Sequence, residues 1–146
     1  MPGSRWLVFD TTVYIAAIRG GLGSTAARAL EAWRTRTYLA SVVSAELRAG
    51  ATVEVARRAV HDLTIWSHRV ERVVTPTTAS WERAGDVLGQ LRRREPALRS
   101  RLASLWNDLL IALSARQVGG VVVTDNLRDF ELLRRYVHFD LASVSS

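Results

Sequence analysis

The sequence predicts an α/β fold, a three-layer α/β/α sandwich around a central, mainly parallel sheet. Short apolar runs rich in strand formers alternate with segments of helical periodicity along the chain. One of these runs, VVV at 121–123, has no polar alternation, as expected of a strand covered on both faces. Between them stand single Gly, Pro or capping residues, with no linker, internal repeat or low-complexity tract. The length of 146 residues fits one domain, 1–146, with room for a sizeable core.

Residues 5–9 (RWLVF) read as the first strand. A helix follows over 12–18 and stops at Gly20-Gly21. Ser24 caps a helix whose Ala27, Leu30 and Trp33 share a face. Residues 38–40 read as the second strand, and Ser44 opens a helix closed by Gly50. Val53, Ala56, Val60, Leu63 and Trp66 space a helix to about Ser67, and 70–74 reads as the third strand. After Pro76, Thr77 or Thr78 caps a helix to Arg94, with Trp81, Ala84, Leu88 and Leu91 inward and Pro96 as its end. A helix over 104–118 ends at Gly119-Gly120, a strand follows at 121–123, Thr124-Asp125-Asn126 turns into a helix to Arg135, and 137–141 reads as a closing edge strand.

Composition removes several chemistries. Without cysteine there is no disulfide framework, thiolate zinc site or cysteine nucleophile. All 20 basic residues are arginine, and the net charge of +6 suits nucleic acid or an acidic protein partner. The one charge-dense stretch, QLRRREPALRSR, reads as a solvated helix end and loop. No apolar run approaches the roughly 18–20 residues that cross a bilayer. MPGSR leads into a short apolar segment rather than a long one, so a soluble, cytoplasmic protein without membrane contact is expected.

In a parallel α/β sheet, ligands bind beyond the carboxyl ends of the strands. Asp10 follows the first strand and Asp125 the run at 121–123. Glu46 lies early in the helix after the second strand, and Asp108 borders the apolar stripe of Leu105, Leu109 and Ala112. Each alone is an ordinary helix N-terminal charge. Together at one edge they repel and are costly to bury, and a divalent cation removes that cost. Oxygen ligands alone suit Mg²⁺ or Mn²⁺ rather than zinc. His61, His68 and His138 are poorly placed to join them.

The succession VFDTTVYI, SVVSAELRAG, NDLLIALSAR and VVVTDNLRDF resembles the PIN-domain ribonucleases, particularly the VapC-like toxins of type II toxin–antitoxin pairs, from about Arg5 to the C-terminus. The resemblance implies the PIN-like form of the sandwich and a Mg²⁺- or Mn²⁺-dependent endoribonuclease leaving a 5′-phosphate and a 3′-hydroxyl. It matches Asp10, Glu46 and Asp108 to the first three acids. The segment from Thr124 to Phe130 favours Asp129 as the fourth, leaving Asp125 or the Asn126 amide as alternatives. Asp10 and Asp108 are then the main metal ligands, with Glu46 and Asp129 or Asp125 completing the site. Thr11 and Thr124 match hydroxyl positions that orient metal or water.

Arg19, Arg48 and Arg116 are the arginines expected to hold the RNA backbone. The partners implied are RNA, a VapB-like antitoxin laid over the crevice, and a second copy in a homodimer. Trp33, Trp66 or Trp81 could serve that dimer, or the core. The alternatives are an RNA-processing nuclease without a toxin role and a non-catalytic RNA- or protein-binding module. A haloacid-dehalogenase-like phosphohydrolase fails because Thr12 stands where its second Asp belongs and there is no lysine. A dinucleotide binder fails for want of glycines after the first strand.

Overall fold

The apolar run after Arg5 forms strand β1 over Leu7–Phe9, with all three side chains buried. The computed structural model describes residues 4–145. Residues 1–3 and 146, the ends of the expected 1–146 domain and most of MPGSR, lie outside the described residues. After β1 come α1 (Thr11–Gly20), α2 (Thr25–Ala32), a 3₁₀ turn (Arg34–Arg36), β2 (Leu39–Ala40), α3 (Ser41–Gly50), α4 (Glu54–Arg69) and β3 (Val73–Val74). Then follow α5 (Thr78–Arg94), a second 3₁₀ turn (Pro96–Arg101), α6 (Leu102–Gln117), β4 (Val121–Thr124), α7 (Leu127–Arg134) and β5 (Asp140–Ser143).

β4 pairs with β1 and β5, and β2 pairs with β3, all in parallel. A bridge between Leu7 and Thr37 and the Tyr38 N–H donated to Leu7 O at 2.9 Å join the two pieces. The strands therefore lie in the order β3-β2-β1-β4-β5. Every residue of β1 and β4 is buried, so both faces of the sheet centre are covered, which gives the sandwich.

The register of β1 on β4 decides where the site forms. A Cβ on Gly120 would stand 2.9 Å from Trp6 O, so only glycine lets the chain pass there and Val121 N–H donate to that oxygen at 2.9 Å. Gly119 supplies the preceding left-handed turn at φ +64°. Phe9 then pairs with Val123, which brings Asp10 and Thr124 level at the carboxyl edge. On the other side of β4, Phe130 meets Phe139 edge to face at 6.2 Å, fixing α7 and its neighbouring Asp129 over the sheet end.

The expected caps form: Ser24 accepts from Ala27 N–H at 3.1 Å and Thr77 from Ser80 N–H at 3.2 Å. Several boundaries move. α3 begins at Ser41 rather than Ser44, which puts Glu46 in its second turn. β3 shrinks to Val73–Val74 because Val70 and Arg72 donate back to Trp66 and Ser67 at the end of α4. The closing strand lies at Asp140–Ser143 rather than 137–141, since Tyr136 and Val137 still donate to Leu133. Trp81, expected inward, is 46% exposed: it sits in the first turn of α5, beyond the buried Ala84, Leu88 and Leu91, against Trp106. Among the described residues no helix is long and apolar enough to cross a membrane.

Candidate active site

Asp10 ends the apolar run because it is the N-cap of α1, its carboxylate facing Val13 N–H at 3.4 Å. It is only 2% exposed. Thr12 donates to Oδ1 at 2.5 Å and Thr124 to Oδ2 at 2.6 Å. Burial pushes its pKa up, and the two hydroxyls and the helix N–H groups hold it down, leaving it raised overall.

Thr11, the next residue, turns the other way and donates to Glu46 Oε1 at 2.8 Å. Asn107 Nδ2 faces Glu46 Oε2 at 3.4 Å. Asp108 follows Asn107 on α6, half-buried beside the buried Leu105, Leu109 and Ala112. Its pKa is raised to about 7, first by burial and then by the negative charges of Asp10, Asp129 and Glu46. Acids from three other segments thus act on Asp108 at the carboxyl edge of the sheet.

Asp129 is buried in the first turn of α7. Arg101, at the end of the second 3₁₀ turn, forms an ion pair with its Oδ1, and Asn126 Nδ2 donates to Oδ2 at 2.8 Å. Burial raises the Asp129 pKa, but these partners outweigh it and the acid stays below the usual carboxylate range. Asn126 is itself fixed by its N–H donated to Thr124 Oγ1 at 2.7 Å. Thr124 therefore links the Asp10 and Asp129 sides. Asp125 is exposed in the intervening turn, and the acid whose charge reaches Asp108 from this segment is Asp129.

The expected RNA-holding arginines are not brought to these acids. Arg19 and Arg116 lie exposed in the last turns of α1 and α6, about 14 and 12 Å along the helix from Asp10 and Asp108 at 1.5 Å per residue. Helices leaving the carboxyl edge carry their ends away from it. Arg48 is exposed and borders a different groove with Arg57 and His61. Arg101 is the arginine ion-paired to an acid of the site, and it comes from the stretch read as solvated. No local pattern marks it, because its partner Asp129 stands 28 positions away. Asn107 was also missed as the group steadying Glu46. All three histidines are exposed.

Among the described residues no three of these side chains converge as a closed metal-ligand set in this arrangement. Both Asp10 oxygens, both Glu46 oxygens and both Asp129 oxygens face hydrogen-bond donors. The donor chemistry nevertheless suits a hard cation: carboxylate oxygens only, with Asp108 lifted to about 7 by burial and then by the negative charge of its neighbours.

Comparison with known proteins places this architecture. The structure is similar to a DNA-bound VapBC from Salmonella typhimurium (23% identity, 96% of this chain and 98% of that one, TM-score 0.65). It is similar to FitAB bound to an IR36 DNA fragment (15% identity, 96% of each chain, TM-score 0.69). A third likeness is to VapBC-1 from nontypeable Haemophilus influenzae (18% identity, 96% and 98% covered, TM-score 0.60). Curated protein sequences give no match. The family model described as PIN domain matches residues 7–136, and the chain belongs to the PIN-domain family.

Proposed function

We propose that this chain, acting as one domain over 1–146, is a divalent-cation-dependent endoribonuclease and the toxin of a toxin–antitoxin pair. The observation that best supports the reading is a set of carboxylates at one sheet edge, Asp10, Glu46 and Asp129 each held by hydrogen bonds and each bearing on the charge of Asp108. Asp10 and Asp108 would hold Mg²⁺ or Mn²⁺, with Glu46 and Asp129 completing the site. Such a cation lowers the pKa of a bound water and neutralises charge on the phosphoryl oxygens. The protein's own part is orientation. Thr12 and Thr124 fix the Asp10 carboxylate, Thr11 and Asn107 fix Glu46, and Asn126 fixes Asp129. The chemistry needs no protein nucleophile, in keeping with a chain without cysteine.

The toxin role is supported by the likeness to VapBC and FitAB and by an apolar groove of about 510 Å³ between α1, α2 and α4. Tyr14, Ile18, Leu30, Leu63 and Trp66 line it, and Leu22 at its rim is 96% exposed. An amphipathic antitoxin segment laid there would cover that surface.

The test of the nuclease is magnesium-dependent cleavage of RNA by the purified protein, by Asp10→Asn and by Asp108→Asn. Cleavage by the native chain, stopped by EDTA and lost in both folded variants, is expected; full activity in either variant removes the mechanism. Co-expression with the neighbouring reading frame should relieve growth arrest and yield a complex whose mass reports the antitoxin and the copy number. Arrest that the neighbour fails to relieve would leave an RNA-processing role instead.

A further inference from the structure

We infer that Arg101, with Arg128 beside it, receives a backbone phosphate of the substrate at the rim of the acid cluster and lets go of Asp129 when it does so. The inference rests on the ribonuclease reading above. A cluster of carboxylates repels a polyanion, so an RNA that must cross it needs cationic groups at the edge. Arg101 is positioned for that. Its ion pair is to Asp129, and its side chain is 40% exposed where the acid's is 13%. Its positive charge also acts on Asp108.

Beside the pair lies a cavity of about 390 Å³ whose charged walls are Glu95, Arg101, Arg128, Asp129, Glu131 and Arg135. The other charges there are already engaged: Glu95 with Arg135 at 3.9 Å and with the Tyr136 hydroxyl at 2.8 Å, Glu131 with Arg134 at 3.5 Å. Arg128 is exposed, acts on the charge of Asp129, and its side chain makes no ion pair or hydrogen bond among the described residues.

Two guanidinium groups therefore share one counter-charge. Each carries five N–H donors in a planar fork that suits the two free oxygens of a phosphodiester. While Arg101 holds Asp129, that carboxylate is committed. A phosphate that takes Arg101 releases an oxygen of Asp129 towards Asp108, so substrate arrival and completion of the site become one exchange.

The test is binding of a short fluorescein-labelled single-stranded oligoribonucleotide, followed by anisotropy in EDTA over a range of NaCl concentrations. Arg101→Ala should weaken binding about tenfold, as loss of a hydrogen bond to a charged group does. It should also reduce the slope of log K against log salt by about 0.7. Arg101→Lys should keep the slope and lose part of the affinity, and Arg128→Ala should show a smaller loss of both.

Asp129→Asn, which frees Arg101, should tighten binding about threefold, and the double variant Asp129→Asn/Arg101→Ala should lose that gain. If Arg101 only braces α7, its removal lowers the melting temperature with the salt slope unchanged and the gain persisting in the double variant; that result overturns the inference. Absence of RNA binding by the native chain overturns it too. Because binding is read without cleavage, a native protein that binds through Arg101 and never cuts sinks the nuclease reading alone. One that cuts while Arg101→Ala keeps its full salt slope sinks this inference alone.

Discussion

Asp10 and Asp108 lie at the same sheet edge and are held in opposite ways. Asp10 is almost sealed from solvent and has two hydroxyl donors and a helix N-terminus facing it. Asp108 is half-buried among three other acids, and no hydrogen bond to its side chain compensates it among the described residues. One carboxylate has the cost of its burial partly offset by hydrogen bonds, while the other has no hydrogen bond to offset its burial and its acid neighbours, only the charge of Arg101. The site is thus held by hydrogen bonds on the β1–β4 side and electrostatically open on the α6 side, where Arg101 supplies positive charge.

The largest test of that contrast is activity. Asp108→Asn should reduce cleavage beyond the roughly 10–100-fold that loss of a group supporting a metal ligand costs, measured as initial rate at saturating Mg²⁺. Thr124→Val comes next. It removes the hydroxyl linking Asp10 to Asn126, so activity should fall roughly 10–100-fold and unfolding free energy by about 1–3 kcal/mol, read by denaturant titration. Native-like values in Thr124→Val would mean the Asp10 side is not held by that hydroxyl.

A smaller effect concerns stability without metal. The folded-state pKa of Asp108, about 7, lies above its ordinary value of 3.8, so between those limits the native state binds more protons than the unfolded chain. This carboxylate costs nothing below the ordinary value, and its cost grows as pH rises and is complete above about 7. Asp108→Asn should therefore be more stable than the native chain at pH 8 in EDTA, by about 1–3 kcal/mol after allowance for partial exposure, with no gain near pH 4. Equal melting curves at both pH values would show that neither burial nor the neighbouring acids burden Asp108.

The smallest effect is expected away from the site. Asp140 is paired with Arg5 at 2.6 Å on the surface, which lowers its pKa. Asp140→Asn should cost within about 1 kcal/mol, with cleavage unchanged. Since that acid is depressed, the contribution is present above its ordinary pKa and fades as pH falls through the folded value.

Much of this was legible in the chain. The alternation of elements, the caps at Ser24 and Thr77, and the places of Asp10, Glu46 and Asp108 follow from local patterns of apolar spacing and breakers. Strand ends were less legible, because whether Val70 or Val137 extends a strand depends on a backbone hydrogen bond to the preceding helix. Trp81 was misplaced because helical periodicity gives a face but not where the core stops along it. Arg101 was passed over because charge density says nothing about which guanidinium finds a buried partner.

By itself the sequence determined the order of strands and helices, the acids that stand where strands end, and an all-arginine basic set. These are properties of neighbours a few residues apart, fixed by φ/ψ preference, capping and period. Only the tertiary structure decided that Thr124 grips Asp10, that Asp129 rather than Asp125 acts on Asp108, and that Arg101 stands at the rim. Those pairings join residues 114, 21 and 28 positions apart. Such distances close only when a parallel register and the packing of α6 and α7 bring the strand ends together.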